Sequence, residues 1–243
     1  MFLDLSSSRR GCIVIDNMKT AYLGVLRQMI REVLVTEKAK GVASKGMGKL
    51  ALTIIKGYPA RPPCQTYLLY DPAKLAEQLS ADKNTANAVY GVVSVNVTSD
   101  HPQWGAKEIE FTAARSGYGP MMYDIAMADV GGLIADRGSV SDDARGIWSF
   151  YKNKRPDVEK KQIDDYRNPS TKTKKDDGER HEEEPGDSLD YAYFLKNGPN
   201  VSMLKANHKA ALPMLKQVSQ EAGIDLDFAA IAQKFFEQEY GQQ

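Results

Sequence analysis

Two glycines one residue apart, behind a basic residue and ahead of an apolar run, mark the stretch of this chain best suited to chemistry. Residues 109–127 read Ile-Glu-Phe-Thr-Ala-Ala-Arg-Ser-Gly-Tyr-Gly-Pro-Met-Met-Tyr-Asp-Ile-Ala-Met. Ile109 to Ala113 fit a strand, Arg115 to Pro120 a tight turn, and Met121 to Met127 a helix. Such a turn directs free backbone N–H groups out of the helix start, where the positive end of the helix dipole lies. Phosphate is the ligand that this arrangement suits. Gly117 and Gly119 let the main chain approach a ligand without a Cβ in the way. Glu108 and Glu110 sit on the strand that leads in, and period-two alternation places them on one face.

Other reactive residue types fall into no pattern. His101, His181 and His208 are far apart and lack ligand spacing. Cys12 and Cys64 form neither a metal spacing nor a disulfide framework, which fits a reducing, cytoplasmic compartment. Ser139 and Ser141 stand in a capping loop rather than a nucleophile elbow. No metal is expected.

The elements that must hold the cradle can be read on either side of it. Pro59 to Pro63 is a boundary. Thr66–Tyr70 reads as a strand, and Asp71-Pro72 opens a helix through Leu75 and Leu79. Residues 88–97 and 108–114 read as further strands, and Gly132–Asp136 as a short buried one. Ser141-Asp142-Asp143 caps a helix that carries Ile147, Trp148 and Tyr151. Residues 159–188 are dense in charge and read as an extended surface loop. Leu189–Leu195 alternates like a returning strand. Two helices follow, at Val201–Ala222 with Pro213 inside, and at about Leu226–Glu239. Strand, strand, helix, strand, helix implies a mixed sheet with a parallel βαβ element.

The 243 residues hold 32 Lys+Arg and 32 Asp+Glu, so the net charge is zero. That balance argues against a dominant nucleic-acid footprint, including at the basic segment 38–61. No apolar run is long enough to cross a membrane. Residues 1–17 are too short in their apolar part for a secretory signal, and Met18 is a plausible alternative start. Residues 19–39 show helical periodicity through Tyr22, Leu23, Leu26, Met29, Ile30, Val33 and Leu34. Lys38–Lys56 reads as a flexible basic segment. Its Gly46-Met47-Gly48-Lys49 fails as a phosphate loop, because Ala43 replaces the first glycine and Leu50 the Ser/Thr that would hold magnesium.

The segment Arg115-Ser-Gly-Tyr-Gly-Pro-Met-Met122 resembles the pyrophosphate motif of the GNAT acyltransferase superfamily: Arg/Gln, two residues, Gly, one residue, Gly/Ala, between a strand and a helix. Gly117 and Gly119 fit both glycine positions. The basic residue does not align: Ala114 stands where it is expected and Arg115 comes one place later. Downstream, Leu133–Asp136 followed by the helix with Tyr151 resembles the family's short strand and tyrosine-bearing helix. The resemblance covers roughly residues 65–195. It implies an α/β fold, a GNAT-like mixed twisted sheet flanked by helices, with helical N- and C-terminal extensions. The divisions are then 1–60, 61–200 and 201–243.

It implies too that acetyl-CoA binds at Ala114, Arg115, Gly117, Tyr118, Gly119, Pro120 and Met121. Tyr151 is then the acid for the departing thiolate. Glu110, or Glu108, is a candidate base acting through water, against the reading of a solvated strand face. Tyr151 also reads as a core aromatic beside Trp148. The acceptor would be an amine of a protein or small molecule. The wording of 117–127 and of the helix with Trp148 resembles a phage-encoded branch, and Leu26–Leu34 resembles a leader of tailed-phage proteins. Ile30-Arg31-Glu32 is similar to sites cut by prohead proteases. The rival expectation is a non-catalytic GNAT fold that serves as a virion component or host-interaction protein.

Overall fold

The β-branched and aromatic runs pair into one sheet of seven strands. In the computed structural model, which describes residues 47–56, 63–97, 105–136, 140–163 and 188–240, these are β1 (Ala51–Lys56), β2 (Cys64–Tyr70), β3 (Val89–Asn96), β4 (Lys107–Ala114), β5 (Leu133–Ile134), β6 (Val158–Gln162) and β7 (Tyr191–Leu195). Their order across the sheet is β1-β2-β3-β4-β5-β7-β6. The helices are α1 (Pro72–Ser80), α2 (Gly119–Val130), α3 (Asp142–Lys154), α4 (Val201–Ala222) and α5 (Phe228–Tyr240). The expected N-terminal helix, the tripeptide at 30–32, His101, His181, Ser139 and residues 164–187 of the charged stretch lie outside the described residues.

Every neighbouring pair is antiparallel except β4 and β5. That parallel pair is the expected βαβ element, with α2 as its crossover. Only Lys107↔Leu133 and Glu108↔Ile134 are in register there. From Ile109 onward, β4 therefore has no partner on its β5 side among the described residues.

Local chemistry accounts for the helix starts. The Asp71 side chain accepts from the N–H groups of Ala73 and Lys74, with Pro72 in the first turn of α1. Ser141 caps α3 through Ala144, as its sequence implies, and Asn200 caps α4 through Met203. α4 runs over Val201–Ala222 as read from the sequence. α2 begins at Gly119 rather than Met121, because proline is well tolerated in a first helical turn.

The core lies on both sheet faces. On one, Tyr67, Leu69, Val93 and Ile109 pack with Met122, Ile125 and Ala126 of α2 and Trp148 and Tyr151 of α3. On the other, Leu68, Tyr70 and Val92 pack with Leu75 of α1, Leu215 of α4 and Phe235 of α5. α4 reaches both: Val201 and Leu204 join the first cluster, Ala211 and Leu215 the second. Asn207 donates to the carbonyls of Gly48 and Leu50, which ties α4 to the start of β1.

Two expectations are corrected. Residues 51–56 are not a flexible basic segment. They form an edge strand whose Ala51 and Leu52 are buried, because β1 carries its apolar residues into the sheet while its basic neighbours lie outside the strand or at its end. Residues 159–162 are not loop. They pair along β7 as the other edge strand, and the charge of Val-Glu-Lys-Lys-Gln is the usual dress of such an edge. The C-terminal helices α4 and α5 pack on the second sheet face.

Candidate functional site

The turn at Ser116–Tyr118 lies at the end of β4 and leads straight into α2. Gly117 has φ +84, a left-handed conformation that side chains resist. Ser116 and Gly117 are exposed. Tyr118 is the N-cap residue of α2 and offers no side-chain cap. Its own N–H bonds the Arg115 carbonyl at 2.9 Å, and its carbonyl accepts from Met122. Among the described residues nothing accepts from the main-chain N–H of Ser116, Gly117, Gly119 or Met121. Pro120 supplies none. The helix thus presents unsatisfied donors and its positive end at an exposed turn.

A Cβ at Gly119 would meet Ile147 Cδ1 of α3 at 3.0 Å, so the packing of α2 on α3 leaves little room there for a side chain. Gly91 of β3 is crowded likewise beneath the helix, where a Cβ would lie 2.5 Å from Met122 Cγ. Ala114, the last residue of β4, pairs with Gly91 and packs into the core, and Met121 is half-buried against it. Neither side chain is a ligand donor.

Arg115 turns away from the free N–H groups. Its Nη2 donates to the carbonyls of Ala86 (3.2 Å) and Asn87 (2.9 Å), in the 3₁₀ turn Thr85–Ala88. Its guanidinium lies 5.6 Å from the ring of Tyr90. The ring of Tyr118 packs on the same tyrosine at 4.8 Å. The Lys74 Nζ donates to the Tyr90 hydroxyl at 2.9 Å. That hydrogen bond is the main reason the Lys74 pKa is raised, with burial and the charge of Arg115 working against it. Sequence reading missed this cluster. Its members come from α1, β3 and the turn, and only the register of β2, β3 and β4 brings them to one end of the sheet.

Tyr151 is fully buried. Its hydroxyl contacts the Pro120 carbonyl at 2.8 Å and the Asp124 carboxyl. Both partners belong to α2. Burial, then the neighbouring Asp124, pushes the phenol far above its ordinary range. Behind it, Arg155 donates from Nη1 to both Asp124 oxygens and grips Asp157 through Nε and Nη2, at 2.8 and 2.7 Å. Arg155 holds the Asp157 carboxyl below the usual range, whereas burial raises that of Asp124. This second network also escaped the sequence, since Asp124 and Arg155 show no periodic or motif spacing that would pair them. The geometry makes Tyr151 a clamp between α3 and the first turn of α2.

Glu110 sits where β4 bulges. Ser94 pairs with Phe111 and Val95 with Ile109, so Glu110 is the extra residue. The bulge interrupts strict alternation: Ile109 joins the core under α2, Phe111 the core under α5. The Glu110 charge helps to raise the Cys64 thiol, after burial. Cys64 shares its strand parity with Leu68 and Tyr70, on the face away from α2 and α3. The structure therefore brings Gly117, Tyr118, Gly119 and Arg115 together and Tyr151 behind them, and sets Glu110 at the β4 bulge with its charge felt at Cys64. His208 packs against Tyr70 and Phe228. Among the described residues no group of three His, Cys, Asp or Glu is placed to hold a metal ion, and no helix is long and apolar enough to cross a membrane. No family model matches the chain, and comparison with curated proteins and with solved structures gives no match.

Proposed function

We propose that this chain is an acyl-CoA-dependent N-acetyltransferase of GNAT-like fold that carries acetyl from acetyl-CoA to an amine of a protein or small molecule. One observation carries the reading. The uncapped start of α2 opens where β4 has parted from β5, so a phosphate-bearing ligand can seat on free N–H groups beside an unpaired strand edge. The sequence order of strand, glycine turn, helix, short strand and tyrosine helix supports it as well. In the transfer, the amine nitrogen attacks the thioester carbonyl, the C–S bond breaks, and the amine proton leaves to solvent or base. The N–H groups of Ser116, Gly117, Gly119 and Met121 hold pyrophosphate. Tyr151 fixes the first turn of their helix through the Pro120 carbonyl and is a positioning residue.

The burial of Tyr151 also favours a second reading, a GNAT-like fold that binds without catalysing, as a phage virion component or host-interaction protein. Calorimetry with acetyl-CoA tests binding for both readings, and release of free thiol in the presence of amines separates them. Ser116→Glu is the informative variant. Its side chain is exposed, so a carboxylate is placed before the N–H groups with little effect on the core. Binding that survives this change would reject the site.

A further inference from the structure

We infer that two copies of this chain pair through α3, antiparallel and about a two-fold axis, whatever the α2 cradle binds. Every fourth residue of that helix lies on one outward row: Asp142, Gly146, Phe150 and Lys154, all four exposed. About the Trp148 position this row is its own complement. Reversed against itself, it sets Asp142 against the partner's Lys154 and Gly146 against the partner's Phe150, and each contact occurs twice. A two-fold interface requires such self-complementarity. Rows of every fourth residue are also the ridges that interdigitate in the commonest packing of two helices, at about −50°.

Gly146 is the residue that the single chain leaves without a reason. Glycine is, after proline, the poorest helix former, yet Gly146 stands inside α3. Gly91 and Gly119 are crowded by Met122 and Ile147, whereas a Cβ at Gly146 would meet nothing within 4 Å among the described residues. On an exposed row, a glycine lets a second backbone come close. Phe150 stands one turn on. At 37% exposure it is the one large hydrophobic side chain left exposed among the described residues, and it is the knob for that hole. Its ring packs edge-on to Tyr151, with the Arg155 guanidinium 6.0 Å from its centroid. The charges set the direction. Among the described residues Asp142 and Lys154 take part in no salt bridge. Parallel pairing would bring like charges together, and antiparallel pairing brings opposite ones together. Both charges also suit the dipole of α3, but the glycine does not follow from that. α3 has 13 residues, a short helix for an interface, so the dimer is a weak one.

Sedimentation equilibrium of the full chain tests the pairing, over a concentration series that reaches the millimolar range. The wild type is expected to rise from the monomer mass toward twice that mass. Gly146→Gln puts a good helix former into open space, so its melting temperature is expected to hold or rise. Its dimer dissociation constant is expected to increase by about tenfold or more, because the hole is filled. Asp142→Lys and Lys154→Asp each set like charges against one another and weaken the dimer. The double reversal restores opposite charges and recovers the dimer, although its helix suits the dipole least. A wild type that stays monomeric throughout, a Gly146→Gln chain that dimerises like the wild type, or a double reversal no better than the single ones overturns the pairing.

Discussion

At Tyr151 a hydroxyl with one proton faces two acceptors, the Pro120 carbonyl and the Asp124 carboxyl. Burial raises the Asp124 pKa, with the hydrogen bond from Tyr151 and the Arg155 guanidinium working against it. The natural work of Tyr151 is to lock α3 to the first turn of α2. Tyr151→Phe leaves the half-buried Asp124 carboxyl one partner short and is expected to cost about 1–3 kcal/mol in denaturant unfolding. If the residue only positions the helix, kcat for acetyl transfer changes a few-fold and the pH–rate profile keeps its shape. A fall of about 10²–10⁴ with loss of the alkaline limb would restore it as the general acid. The phenol and its helix were legible in the sequence. Its partners were not, because Asp124 and Arg155 meet only when two helices cross. The glycines show the same limit: Gly117 was readable as a turn residue, but the crowding at Gly119 comes from Ile147, a residue 28 positions on in the numbering.

Among the elements, α2 matters most, and two residues beneath it decide how closely it sits. Gly91→Ala drives a methyl into Met122, which is fully buried and lies over β3. A loss of about 1–3 kcal/mol is expected, together with weaker acyl-CoA binding as the first turn of α2 lifts. Met122→Val in the same chain is expected to recover part of both, and additive losses in the double variant would show that the two residues are uncoupled.

A second element-scale device joins α4 to β2. The Tyr70 hydroxyl lies 2.7 Å from His208 Nδ1, and burial lowers the His208 pKa below its ordinary 6.5. Burial raises the pKa of Tyr70, so a neutral phenol faces a neutral imidazole, and the tautomer of His208 sets which of them donates. The unfolded chain then binds the proton more readily than the folded one. This contribution is complete above the unfolded value of about 6.5 and is lost as pH falls through that value toward the folded one. Unfolding free energy measured from pH 7.5 to 5 is expected to decline, and His208→Gln to flatten the decline while keeping a hydrogen-bond partner for Tyr70. An identical slope in the variant would assign the decline elsewhere.

For the molecule as a whole, a mixed sheet with one parallel crossover was legible because β-branched runs, turn residues and caps agree from Thr66 to Leu195. The edges were not. β1 hides inside a basic, glycine-rich stretch, and β6 is charged because its side chains face solvent. Nor did the pattern show that α4 and α5 close the second face, since their apolar stripes suit a partner as well as the parent sheet. What the whole fold creates, and no single segment contains, is an end of the sheet where an uncapped helix and an unpaired strand edge meet. The most direct test is titration of the folded chain with acetyl-CoA by calorimetry, beside Ser116→Glu. Saturable heat in the wild type and at least a tenfold weaker response in the variant, at unchanged melting temperature, is the expected result. No heat from the folded wild type, or equal binding by both, would contradict it.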